Sequence, residues 1–415
     1  MLDIGLLGEV IEEQAKGFAS KESGLIRTID MSRIQNSAQV VVISGVRRSG
    51  KSTLLRQIAA KLDDYHYVNF DDERLIDFEV SDFNRLLLAW KKRGPSKNIL
   101  IDEIQNITAW ERFIRRIHDE GYKIYLTGSN AKLLSSELST HLTGRYLKVE
   151  LYPFSFKEFL DYKNAPREKV LTTSQKAEVL NYFDAYLKNG GFPEYVVRGD
   201  QEILKQAYDD IVYKDIIARF GVREIKPFRE LAAYLFSNLA KESNYNALAK
   251  MLGMKSVMTV RKFVGFLQES YLVFEAFKYD HSLKKQFVSS KKIYVIDNGM
   301  RGRVAFSATD DRGRLLENMI FLELKRRGSD IYFYKNAHEC DFIVKEKNKI
   351  TQAIQITVRL NPENREREMA GVCSALDAFA LAEGVLITED QEETLRRGNF
   401  VIHVVPAWKW LLENE

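Results

Sequence analysis

Nine consecutive residues, Gly45-Val46-Arg47-Arg48-Ser49-Gly50-Lys51-Ser52-Thr53, restrict the fold of this chain more than any other feature. Before them runs Gln39-Val40-Val41-Val42-Ile43-Ser44, short, apolar and β-branched, the pattern of a strand buried on both faces. After them Leu54 to Leu62 has helical spacing and no breaker. A glycine-rich turn between a strand and a helix aims successive backbone N–H groups at a phosphate, and the helix N-terminus adds positive potential. In such a loop Lys51 reaches the β- and γ-phosphates and Ser52 holds Mg²⁺. The expected ligands are ATP and Mg²⁺, bound in a parallel α/β sheet. Strands and helices alternate from about 38 to 152, which supports that fold class. The expected strands are Val40–Ser44, Tyr65–Phe70, Asn98–Ile101, Lys123–Thr127 and Tyr146–Leu151.

Two further strand ends carry chemistry. Asn98-Ile99-Leu100-Ile101-Asp102-Glu103 is an apolar strand ending in two carboxylates, the Walker B arrangement. There Asp102 would bind the Mg²⁺ shell and Glu103 would polarise the attacking water as general base. Lys123 to Asn130 is a strand with a small polar tip, and in additional-strand ATPases such a strand lies between the two Walker strands. Ser129 or Asn130 would then sense the γ-phosphate, although an ordinary polar turn reads the same way. Arg145, in Thr143-Gly144-Arg145, could reach a neighbouring subunit's nucleotide as an arginine finger or could be a surface arginine. Arg47 and Arg48 could contact nucleotide, a lid or DNA.

Those residues carry a family likeness. The phosphate loop with its double arginine is joined by Ile101-Asp102-Glu103-Ile104-Gln105, Leu126-Thr127-Gly128-Ser129-Asn130 and Leu142-Thr143-Gly144-Arg145. Leu151-Tyr152-Pro153-Phe154-Ser155-Phe156-Lys157-Glu158-Phe159, Gly190-Gly191-Phe192-Pro193-Glu194, Tyr213-Lys214-Asp215-Ile216, Glu317-Asn318 and Asp341-Phe342 follow. Together they resemble the prokaryotic AAA+-type ATPases with a C-terminal DUF4143 region, across nearly the whole chain. The resemblance implies an α/β multidomain protein with an AAA+ P-loop core, a helical lid, a winged helix and a restriction-endonuclease-like α/β domain. The expected divisions are a helical lead-in over 1–36, the ATPase core over 37–160 and the lid over 161–225. The winged helix is expected over 226–285 and the last domain over 286–415.

The last two regions carry patterns of their own. Pro227 to Leu283 predicts three helices and a β-ribbon, the order of a winged helix-turn-helix. Its second helix, from Asn244, stops at Gly253, and the third is capped by Ser256. Lys255, Thr259, Arg261 and Lys262 on that third helix, with Lys278, Lys284 and Lys285 on the wing, suit phosphate contacts. Beyond about 286 the expected strands are Lys292–Ile296, Ile331–Tyr334, Asp341–Lys345 and Ile350–Val358. Metal-dependent nucleases of the restriction-endonuclease-like fold use a helix carboxylate, a strand aspartate and a Glu/Gln-x-Lys strand. Glu317 on the helix Leu315–Arg326, Asp341 and Gln355 match the metal positions, but Thr357 stands where the lysine belongs. Arg359 is a poor substitute, and His338 reads as a surface or packing residue.

Composition limits what else the chain can do. A length of 415 residues suggests two to four domains, and a net charge of +4 leaves any nucleic-acid surface to local clusters. The two cysteines, Cys340 and Cys373, are far apart and in no metal-spaced pair, which argues for a reducing compartment. Glu9, Glu12 and Glu13 break the early apolar residues, so no signal peptide and no membrane segment is expected, and the cytoplasm is the expected location. The function expected from the sequence is a DNA-binding, Mg²⁺-dependent ATPase acting as a homo-oligomeric ring, a hexamer, that moves on or remodels DNA. The alternatives are an ATP-controlled nuclease on branched or foreign DNA and a slow nucleotide-dependent switch.

Overall fold

The computed structural model describes residues 2–131, 142, 144–167, 171–306 and 311–413; Thr143 lies outside them. The chain divides into two compact units, residues 1–152 with 269–271, and residues 153–268 with 272–415.

The first unit is built on five strands, β1 (Val40–Gly45), β2 (His66–Asn69), β3 (Asn98–Asp102), β4 (Lys123–Gly128) and β5 (Tyr146–Leu151). All pair in parallel, in the order β2-β3-β4-β1-β5. The strand with the polar tip therefore lies between the two Walker strands, as the sequence predicts. The two-residue period divides β1 between two cores. Val40 and Val42 join the helices Ile4–Ala19, Phe83–Arg93 and Glu111–Asp119 on one face. Val41 and Ile43 meet Leu54, Leu55 and Ile58 of the helix Lys51–Ala59 on the other. All four side chains are fully buried. Removing each from water stabilises the sheet by about 1.5–3 kcal/mol, which explains the unbroken apolar run. The helical lead-in expected over 1–36 holds two helices, Ile4–Ala19 and Met31–Asn36. Asp3 and Asp30 cap them.

The second unit begins with the helices Phe156–Tyr162, Thr173–Asn189, Pro193–Arg198 and Glu202–Asp210, the last running into a π-helical stretch over Ile211–Ala218. The helices Ile225–Ser237, Tyr245–Met251 and Val257–Glu269 follow, and nine strands, the first of them between the first two of these helices, form one mixed sheet. They are β6 (Glu242–Ser243), β7 (Val273–Lys278), β8 (Lys291–Val295), β9 (Asp330–Lys335), β10 (Glu339–Glu346), β11 (Lys349–Ile356), β12 (Glu383–Thr388), β13 (Glu393–Arg397) and β14 (Phe400–Pro406). Their order is β13-β14-β12-β11-β10-β9-β7-β8-β6. β7 pairs antiparallel with β8 and parallel with β9, so backbone pairing is continuous across the expected division at 285/286. The helices Arg365–Phe379 and Ala407–Glu413 and the strands β12 to β14 lie beyond Val358, past the last strand expected from the sequence.

The motif residues Gly190, Gly191 and Asn318 serve packing in this unit. Helix Thr173–Asn189 ends at Gly190, whose φ of 71° favours a residue without a side chain. The Gly191 N–H donates to Asp297 Oδ2 at 2.8 Å, and the Phe154 N–H donates to the Gly191 carbonyl at 2.7 Å. Asp297 also accepts from the Met300 N–H at 2.9 Å, and burial pushes its carboxyl up to about 6. Asn318, fully buried, donates to the Val295 carbonyl and to Asn298 Oδ1 and accepts from the Val295 N–H. Asn298 in turn donates to the carbonyls of Leu187 and Leu315. Every contact lies within the second unit.

Candidate nucleotide-binding site

Parallel pairing puts the carboxyl ends of β1, β3 and β4 side by side, and the residues with chemistry stand at those ends. The loop after β1 turns on Gly45, Arg48 (φ 63°) and Gly50 (φ 95°). A Cβ on Gly45 would lie 2.1 Å from the Leu151 carbonyl, so only glycine lets β1 and β5 close here. Gly50 is the N-cap of the helix Lys51–Ala59, which leaves that helix's first N–H groups facing the loop. Lys51 is buried, and its Nζ donates to the carbonyls of Gly45 and Val46, both at 3.1 Å. Ser49 Oγ is buried with no hydrogen-bond partner. An orphaned hydroxyl in a cradle of N–H groups fits a site shaped for an anion. Val46, Arg47, Ser52 and Thr53 complete the same turn and first helical turn.

The carboxylates are held from two sides. Asp102 accepts a hydrogen bond from Thr127 Oγ1 on β4 and one of 3.4 Å from the Tyr67 hydroxyl on β2. The Thr127 hydroxyl also accepts from the Glu103 N–H at 3.1 Å, which fixes Glu103 in the left-handed conformation (φ 54°). Glu103 Oε1 lies 3.9 Å from Lys51 Nζ, and Gln105 Nε2 donates to Glu103 Oε2 and, at 3.2 Å, to Ser129 Oγ. Burial, then the charge of Glu103, pushes the Asp102 carboxyl upward. Burial acts the same way on Glu103, but Lys51, Gln105 and Arg47 outweigh it and hold that carboxyl below its ordinary range. Asn130 is buried just beyond the end of β4. Asp102, Glu103, Lys51, Ser129 and Asn130 thus gather at one edge of the sheet.

Arg145 lies at the other edge. Val40 pairs with Tyr146 and Gly45 with Leu151, so Arg145 sits at the amino end of β5, a strand's length, roughly 20 Å, from the loop. It is exposed and forms a 2.5 Å pair with Asp119, a surface contact of small energy. Arg27 is a residue that sequence reasoning missed. Its buried guanidinium donates to the Ser49 carbonyl at 2.9 Å and the Tyr152 carbonyl at 2.8 Å, bracing the phosphate loop from the lead-in. No motif announced it, and an arginine in a polar turn carries no signal before the chain folds.

The second unit brings Glu317, Asp341 and Gln355 into one buried cluster. The strand β11 ends at Ile356, so Thr357 and Arg359 lie past it and Arg359 is exposed, which removes it as a replacement lysine. His338 is exposed in the turn between β9 and β10. Lys292 on β8, which carried no sequence signal, enters the cluster instead.

A five-stranded parallel sheet with the additional strand between its two Walker strands, and these residues at their carboxyl ends, defines an AAA+-type P-loop ATPase domain. Residues 37–160 match the family model of an AAA domain (AAA_14). Residues 180–311 match one domain of unknown function (DUF8612), and 312–410 match another (DUF4143). The chain is 36% identical to the uncharacterized protein MJ1544 of Methanocaldococcus jannaschii, over 99% of this chain and 96% of that one. It is 32% identical to an uncharacterized protein of Haemophilus influenzae, over 96% and 100%. The chain belongs to this family, in which an AAA domain is followed by a DUF4143 region. The Walker-type ATPase PABY2304 of Pyrococcus abyssi aligns with 73% of this chain and 96% of its own at 14% identity and a TM-score of 0.40. Among the described residues no helix is long and apolar enough to cross a membrane.

Proposed function

We propose that this protein hydrolyses ATP with Mg²⁺ at the edge formed by β1, β3 and β4, and couples turnover to remodelling of, or movement on, DNA as a homo-oligomeric ring. The observation that carries the reading is the joint placement of Lys51, Asp102 and Glu103, with Glu103 held ionised as a base must be. The loop residues Gly45 to Thr53 would hold the phosphates, Ser52 and Asp102 the Mg²⁺ shell, and Asn130 the γ-phosphate. The bound metal would stabilise charge on the transferring phosphoryl group. Glu103 would orient and deprotonate water while Lys51 neutralises the phosphate oxygens.

The case for DNA rests on the second unit. Its order of helix, short strand, short helix, helix and the β7–β8 pair, with β6 and β7 flanking β8, supports a winged helix-turn-helix, although Lys284 and Lys285 lie on a helix, Leu283–Val288, between those two strands and not on a β-ribbon as the sequence suggests. Lys255, Arg261, Lys262, Lys284 and Lys285 are exposed, while Thr259 and Lys278 are half-buried. Steady-state ATPase rates with no DNA and with duplex, single-stranded or junction DNA test the coupling. Stimulation by one DNA form, weakening as salt rises, is expected; equal rates with and without every form would remove DNA from the reading.

A second reading has its own support. The segment between β7 and β8 exposes Leu283, Phe287 and Val288, and the third helix exposes Met258. Apolar residues there suit a protein surface, with ATP acting as a slow switch of assembly. Nucleotide binding without measurable turnover would favour it.

Because Arg145 stands at the far edge from its own phosphate loop, its role as a finger requires a neighbouring subunit. Arg145→Ala is expected to lower turnover by about 10³-fold, the scale of an arginine finger. Mixing Arg145→Ala chains with Glu103→Gln chains should restore part of the rate, since each supplies what the other lacks. No recovery in mixed oligomers would sink the trans role.

A further inference from the structure

The buried cluster of the second unit has the acidic outline of a divalent-cation site, and its donor set can be tested atom by atom. Lys292 Nζ lies 3.0 Å from Glu317 Oε1, 2.9 Å from Asp341 Oδ1 and 2.9 Å from Glu339 Oε1. Glu317 Oε1 also accepts from the Tyr294 hydroxyl at 2.6 Å. The other Asp341 oxygen, Oδ2, accepts the Ile356 N–H at 3.1 Å. Gln355 does not face the carboxylates as a ligand. Its Oε1 accepts the Asp341 N–H at 3.2 Å, and its Nε2 donates to Glu368 Oε2 at 2.7 Å. Glu317 Oε1, both Asp341 oxygens and Gln355 Oε1 are thus committed to donors of the chain, and no group of three or more His, Cys, Asp or Glu among the described residues has metal-holding geometry. These residues do not fit a resident metal ion.

We propose that this is a cation site filled from within: the Lys292 ammonium holds the position between Glu317 and Asp341 that a divalent ion takes in a nuclease. The cluster neutralises its carboxylates without metal, and the second unit contributes its surface to the protein without cutting DNA. Lys292 is suited to the place. It comes from β8, runs past the Phe333 ring and is only 3% exposed, so its charge has no solvent to return to. Burial acts against the ammonium, but Asp341 and Glu317 more than offset it and hold its pKa well above the ordinary value. The opposite exchange, in which a metal displaces the lysine, must pull a buried ammonium away from its bonds to Glu317 and Asp341.

The arrangement predicts that removing the ammonium opens the site. Nucleotide-free full-length chains are titrated with Mn²⁺, and free ion is read by electron paramagnetic resonance. The wild type should show no Mn²⁺ bound in a way that Asp341→Asn abolishes. Lys292→Met should gain one bound Mn²⁺ per chain, and the gain should vanish in Lys292→Met combined with Asp341→Asn. Lys292→Gln is the second variant, with circular dichroism confirming the fold of each. Wild-type Mn²⁺ binding that Asp341→Asn removes would overturn the proposal, whatever the other variants do. So would a folded Lys292→Met or Lys292→Gln chain that gains no ion.

Discussion

Glu103→Gln is expected to lower ATP turnover by about 10²–10⁴-fold while leaving nucleotide bound, the range associated with loss of a positioned general base. The amide has nearly the shape of the carboxylate, so the Glu103 N–H can keep its bond to Thr127 and the strand end should not move. What disappears is the proton acceptor. The carboxyl sits 3.9 Å from Lys51 Nζ and is held below the ordinary range against the cost of burial, so the wild-type group is ionised at neutral pH. Single-turnover hydrolysis read beside equilibrium binding of a fluorescent ATP analogue separates the two properties. Lys51→Ala should show the converse, losing binding itself. Wild-type turnover in Glu103→Gln would mean that another group activates the water.

Gly191→Ala is expected to destabilise the second unit by about 3 kcal/mol, the upper range for overpacking a rigid site. The added methyl would lie 2.2 Å from the Phe154 carbonyl oxygen and 2.9 Å from Tyr186 Cε2. Neither can yield easily. The Phe154 N–H is bonded to the Gly191 carbonyl, and the Tyr186 hydroxyl donates to the Phe154 carbonyl at 2.8 Å. Moving residue 191 also draws its N–H from the buried Asp297, leaving a charge-bearing group short of a donor. Urea unfolding of the full chain should show a lower midpoint, with ATP binding by the first unit retained. A midpoint equal to the wild type's would show that this contact relaxes freely. Gly299→Ala meets the Asn189 carbonyl at 1.9 Å and should behave alike.

How far the chain could be read before folding depended on whether the relevant partners were close in sequence. Val40 to Thr53 encode strand, turn and helix in fourteen adjacent positions, so local preference and local function coincide. Asp102 and Asn130 were legible because each ends an apolar strand, and strand ends in parallel sheets face one edge. Thr127 and Gln105 lie inside the motifs, but their bonds to Asp102 and Glu103 depend on strand packing and carry no local signal. Arg27 and Lys292 were invisible. Their partners lie 22 and 125 residues away in one case and 25 and 49 in the other, and a buried cation has no local pattern.

The sequence alone determined that a phosphate loop follows a buried strand, that two carboxylates end another, and that the tail lacks the lysine expected at Thr357. These are properties of short runs, where side-chain period and backbone preference suffice. Only the tertiary structure decided that Arg145 stands at the opposite edge from the loop, and that β7 and β8 join the tail's strands in one sheet. It also placed Lys292 among the carboxylates. Each of those depends on strand order and register, which arise when separate apolar runs find one another and bury their faces together.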